Sequence, residues 1–188
     1  MLKEVINETT EAVVATIKGT DDILGAVTST VKNQVVNVLK GSGEISTTSV
    51  DLVASVASGA IKGAGQVGAS LTDVVYGTMG GVINGASEVG GDVISAVRGS
   101  AKGIVQATAE AGGDVGATAV SAVEGAIKSA GNVGVDSAGA AKAAVGGAMD
   151  AAASVGGDAG QKIRDALLSA AALPRDVIES VLKGSNKL

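Results

Sequence analysis

At 188 residues, with 46% apolar side chains and a mean hydropathy of +0.40, the chain is long enough for one domain and too apolar to stay disordered. A formal charge of -5 and a pI near 4.7 exclude the profile of a phosphate-backbone binder, so no nucleic-acid partner is expected. The lack of Cys and His removes thiolate, zinc-thiolate and Ser-His-Asp chemistry, and the lack of Phe and Trp beside 29 Gly argues against a core of large interlocking side chains.

Taken in chain order, the first residues, Met1 to Glu8, carry no basic segment followed by an apolar one, and read as the start of a cytoplasmic protein without a signal peptide. From Val5 onward a 22-residue repeat appears, with blocks beginning at Val5, Val27, Ser49, Leu71, Val93, Val115 and Ser137 that align without gaps. The thirteenth position is always apolar (Ile17, Leu39, Ile61, Ile83, Val105, Ile127, Met149) and the fourteenth always polar (Lys18, Lys40, Lys62, Asn84, Gln106, Lys128, Asp150). In the last five blocks the eleventh position is Gly59, Gly81, Gly103, Gly125 and Gly147, and the twentieth is Gly68, Gly90, Gly112, Gly134 and Gly156. Apolar and polar positions both advance by about 3.67 residues, a helical period, so the fold class is all-α.

Two architectures fit this pattern. Gly-Gly can act as a C-cap and Asp92, Asp114 and Asp158 as N-caps of short helices lying side by side, or the helix can run on, because 22 residues are two 11-residue units that keep the stripe on one face. The tail favours the second: Leu182-Lys183-Gly184-Ser185 copies Leu39-Lys40-Gly41-Ser42 at a spacing of one extra half-block, which a continuous helix absorbs without losing phase. The expectation is therefore of long amphipathic helices packed as a bundle or filament. Gly41-Ser42-Gly43 and Pro174 punctuate the chain into a more charged N-terminal segment (1–41), a Gly/Ala-rich body (42–173) and a short final helix with its tail (174–188). The longest uncharged window, Val74 to Ser87, is too short for a membrane span.

No motif points to catalysis. Gly63-Ala-Gly65-Gln-Val-Gly68, with Glu88 downstream, matches a dinucleotide fingerprint but no strand precedes it and the repeat already accounts for its glycines. Ser29-Thr-Val-Lys32 matches a nucleophile motif that lacks its partner motifs. The Asp92, Asp114, Asp136 and Asp158 ladder reads as caps or solvated positions; were the helices side by side, these carboxylates would gather at one end and bind cations weakly. No enzyme, cofactor or metal is expected. Glycines instead carry the reading. Gly59-x-x-x-Gly63, Gly81-x-x-x-Gly85 and Gly99-x-x-x-Gly103, with Gly125 and Gly147, allow helix backbones to approach closely, beside an apolar face of Ile61, Ile83, Val105, Ile127 and Met149.

Gly80-Gly-Val-Ile-Asn-Gly85 and Gly125-Ala-Ile-Lys-Ser-Ala-Gly131-Asn-Val-Gly134, low in charge and rich in Val, Gly and Ala, resemble the 11-residue amphipathic repeats of perilipins and synucleins. That resemblance implies a coat on a lipid surface. The residues themselves favour a non-enzymatic structural protein that self-associates, as a homo-oligomer or polymer, through its apolar and small-residue faces into a bundle, filament or sheath. The alternative is an amphipathic coat on a lipid droplet, vesicle or storage granule.

Overall fold

A computed structural model describes residues 1–41 and 47–185, with side chains placed except at 47, 48 and 185. Among the described residues the chain is entirely helical, without strands: α1 (Leu2–Ile17), α2 (Ile23–Gly41), α3 (Thr47–Val67), α4 (Leu71–Glu88), α5 (Val93–Glu110), α6 (Val115–Asn132), α7 (Ser137–Val155), α8 (Ala159–Ser169) and α9 (Arg175–Ser185). The expectation of all-α structure holds. The expectation of helices running on through the repeats does not, because the backbone turns at each Gly-x-Asp or Gly-x-Ser step.

Those turns explain the 22-residue period. Gly68, Gly90, Gly112 and Gly134 have φ of +64°, +67°, +74° and +73°, the left-handed conformation in which a helix C-terminus closes on itself. One residue after each, an amide reaches back five residues to close the turn: Ala69 to Ala64 O, Gly91 to Ala86 O, Gly113 to Thr108 O and Val135 to Ala130 O, at 2.8–3.1 Å. The next residue caps the following helix. Asp92 accepts from Ser95 N, Asp114 from Gly116 N and Ala117 N, Asp136 from Ala138 N and, less closely, Ser70 from Asp73 N. A repeat is thus about eighteen helical residues and a four-residue turn, and its length coincides with six helical turns only by arithmetic. The last two helices, α8 and α9, are shorter, at 11 residues each.

Every helix contacts only helices one or two places away in sequence, and the most extensive contacts in the body of the stack are with the helix two places away. Two layers result: α1, α3, α5, α7 and α9 in one, α2, α4, α6 and α8 in the other. Within a layer the helices are parallel, because Gly77, Gly81 and Gly85 of α4 lie over Leu24, Thr28 and Lys32 of α2 in rising order, and Gly99 and Gly103 of α5 lie over Val50 and Ala54 of α3. Between layers successive helices run oppositely, because an eighteen-residue helix is about 27 Å long and a four-residue turn spans at most about 14 Å.

One core runs from Val5 to Leu182, through all three compositional segments. It was not expected from a chain without Phe or Trp. Val13, Val27, Val31, Val53, Met79 and Ile104 are fully buried and alanine fills much of the remainder. Small side chains suffice where helix axes are close. The Gly41-Ser42-Gly43 break expected from the sequence falls partly on 42–46, outside the described residues.

Removing a cap tests the turn directly. Asp114→Ala should cost about 0.5–2 kcal/mol, and Gly112→Ala should cost about 1–2 kcal/mol for placing a Cβ at positive φ; urea unfolding of each variant against the unaltered protein measures both.

Candidate functional site

The glycines singled out from the sequence lie where backbone meets backbone. A Cβ built on Gly59 would stand 2.6 Å from the Ile6 carbonyl oxygen and 2.8 Å from Thr9 Cβ; on Gly63, 2.9 Å from Thr10 O; on Gly81, 2.7 Å from Thr28 O; on Gly85, 2.9 Å from Lys32 O. Gly103 and Gly147 approach Ala54 O and Arg98 O closer still. Gly125 sits more loosely, 3.4 Å from Met79 Cβ. Thus Gly59 and Gly63 meet α1, Gly81 and Gly85 meet α2, Gly103 meets α3, Gly125 meets α4 and Gly147 meets α5. All seven contact helices of the same chain; the sequence reading had left open whether these faces meet other helices of the chain or further copies. The apolar set is likewise turned inward: Ile61, Ile83 and Val105 are buried, while Ile127 and Met149, on the last two full-length helices, are half-buried against the same core.

Polar bonds cross the same seams at the outer surface of each layer. Lys32 pairs with Glu88 (2.6 Å), Lys62 with Glu110 (2.9 Å) and Lys102 with Asp51 (3.9 Å). Arg98 holds Asp150 through Nε (2.8 Å) and Nη2 (3.1 Å), and Tyr76 donates its hydroxyl to Glu124 Oε2. Each joins helices two places apart, and apart from Lys102–Asp51 the donor lies on the earlier helix. The sequence reading treated these charges only as a polar arc. Their signal was a spacing of 48 to 56 residues between opposite charges, which is visible only once helices two apart are known to be neighbours. Lys32 holds the Glu88 carboxyl below the ordinary carboxylate range, and Asp150 raises Arg98. Burial first, then the bond to Glu124 and its charge, push Tyr76 up to about 12.

The motifs weighed in the sequence fall apart in space. Gly63 faces Thr10 within α3, Gly65 faces open space and Gly68 is a turn glycine, so no phosphate-cradling loop follows a strand. Ser29 and Lys32 lie on the surface of α2, with Lys32 paired to Glu88. The aspartates do not gather at one end: Asp92 and Asp136 cap odd helices and Asp114 an even one, so they alternate between opposite ends of the stack. No cluster of three potential metal ligands occurs among the described residues. No helix among them is long and apolar enough to cross a membrane.

A cleft of about 620 Å³ opens where the C-terminus of α2 and the N-termini of α3 and α5 converge, lined by Leu39, Lys40, Val50, Val53, Asp92 and Ser95. Hydrogen bonds from the Ser95 hydroxyl and amide hold the Asp92 carboxyl below its usual range, and those bonds occupy it as a helix cap. Its wall is largely apolar, and among the described residues the charged groups that line it, Lys40 and Asp92, belong to helix ends. Comparison with family models, with curated proteins and with solved structures found no match.

Two measurements follow from this geometry. Gly103→Ala should destabilise the fold by about 1–3 kcal/mol or more, because the new methyl meets backbone; Gly65→Ala, with nothing within 4 Å, should stabilise it by about 0.4–1 kcal/mol, and both are read from denaturant midpoints. With Tyr76 as the single tyrosine and no Trp present, ultraviolet titration reports one phenol. Its midpoint should lie near 12 and fall in Glu124→Gln while staying above an exposed tyrosine, since burial persists. The stability linked to this shift is complete below the unfolded pKa of about 10 and is lost as the pH rises toward the folded value.

Proposed function

We propose that the chain is a non-enzymatic structural protein whose helices associate with one another within one chain, forming a finite two-layer stack that serves as a scaffold. A single observation supports this reading above the others. In α3 to α7 the glycine of the eleventh repeat position faces the preceding helix of its own layer, and α1, the first helix, contains no glycine. A filament or sheath built by the same contact would need a glycine row left free on an outer helix of the stack. The lipid-coat reading would need the helices to leave the stack, because Ile61, Ile83 and Val105 lie in its core.

Light scattering and circular dichroism on the purified protein, without and then with neutral lipid emulsion, test the proposal. The expected outcome is a helical particle of about 17.9 kDa in the absence of lipid, unchanged on adding the emulsion. Large assemblies without lipid would favour the filament, and a weakly helical chain that becomes helical only on the emulsion would favour the coat.

A further inference from the structure

A repeated interface must either continue into another copy or be stopped. Gly59 of α3 faces Ile6, 53 positions earlier, while Gly103 of α5 faces Ala54, only 49 earlier. The same difference separates α4 on α2 (Gly81 over Thr28) from α6 on α4 (Gly125 over Tyr76). The first two helices therefore lie one helical turn out of the ungapped repeat, a shift that leaves the apolar phase intact and so escapes a reading based on periodicity. Spatial counterparts of α1 and α2 are found 48 positions on, not 44.

With that correction, Glu4, Asn7, Glu8, Glu11 and Ala15 of α1 stand where α3 has Leu52, Ser55, Val56, Gly59 and Gly63. Ser29, Asn33 and Asn37 of α2 stand where α4 has Gly77, Gly81 and Gly85. Every residue of the first set is exposed and every counterpart is buried. Both layers thus lose their glycine row at the same edge, and α1 exchanges apolar side chains for carboxylates. Glu4 is held by the N-terminal amine (2.7 Å), whereas Glu8 and Glu11 have no ion pair among the described residues.

We infer that the N-terminal edge is a built stop, which keeps the stack's own interface from continuing into a second copy of the chain. At the Gly59 seat even a Cβ would stand 2.6 Å from the facing carbonyl, so a glutamate there holds any incoming helix away. A second edge of the same kind meets like charge as well. This inference rests on the finite-stack reading; if the unaltered protein is already assembled in solution, that reading fails first.

The test converts the edge to the chemistry of its counterparts in the full-length chain: Glu8→Val, Glu11→Gly and Asn33→Gly together. The converted edge can then seat head to tail on the opposite edge of another copy, and sedimentation velocity should give a mean mass that rises about two-fold or more with concentration. A Glu8→Gln, Glu11→Gln control, which removes charge but not bulk, should stay monomeric. Because glycine weakens helices, circular dichroism is recorded alongside, and Glu8→Val with Glu11→Gly, which adds a single glycine, decides by the same criterion should the triple variant lose helicity. A helical, converted chain that stays monomeric over the whole concentration range overturns the inference. So does a Gln control that associates as strongly.

Discussion

The contact on which the rest depends is that between a glycine and the carbonyl of a parallel helix two places earlier. Because no Cβ intervenes, neighbouring backbones come closer than ordinary side chains permit. The composition follows from that closeness: the space between axes admits Val, Ala, Thr and an occasional Ile or Met, and has no room for Phe or Trp. Among the described residues, the hydroxyls of Thr9, Thr78, Ser100 and Thr118 are buried in this core without a hydrogen-bond partner. Helix-breaking residues are thus turned to cohesion, at a propensity cost of roughly 0.5–1 kcal/mol for each glycine within a helix.

The surface bonds play a different part. Exposed ion pairs such as Lys32–Glu88 and Lys62–Glu110 are each worth about 0–1 kcal/mol, too little to hold helices together. Their value is in register. A helix with glycine every fourth residue could seat one turn higher or lower, as Gly77, Gly81 and Gly85 illustrate, and a sliding helix would separate Arg98 from Asp150 or Tyr76 from Glu124. Apolar packing sets the distance between helices, and charges select among the seats that packing leaves nearly equivalent.

The helical class, the apolar stripe and the importance of the eleventh-position glycines were all legible in the sequence, because each follows from a period close to 3.6. Helix ends were harder. The turn signals at Gly90-Gly91-Asp92 and Gly112-Gly113-Asp114 were plain, but a 22-residue block closes on six helical turns, so the same residues also suited an unbroken helix. The shift of α1 and α2 was hidden for the same reason: one helical turn moves every residue along the axis and hardly changes the face it lies on. Neither the identity of neighbours nor the ion pairs within a layer could be read, since Lys62 and Glu110 become partners only when two intervening turns bring α5 back beside α3. Whether the small-residue faces met the same chain or another was likewise a question of topology.

The restriction of contacts to helices one or two places away has a mechanical consequence. No strut ties the first helix to the last, so cohesion is passed along the stack from pair to pair, as in a linear array of coupled units. Tension applied at the C-terminus bears first on the two 11-residue helices, which bury the least, and can peel the chain back a hairpin at a time. The polar first pair is the last to lose its neighbours. Such a body resists load by yielding in increments, and each released hairpin can find its seat again without waiting for the distant end of the chain.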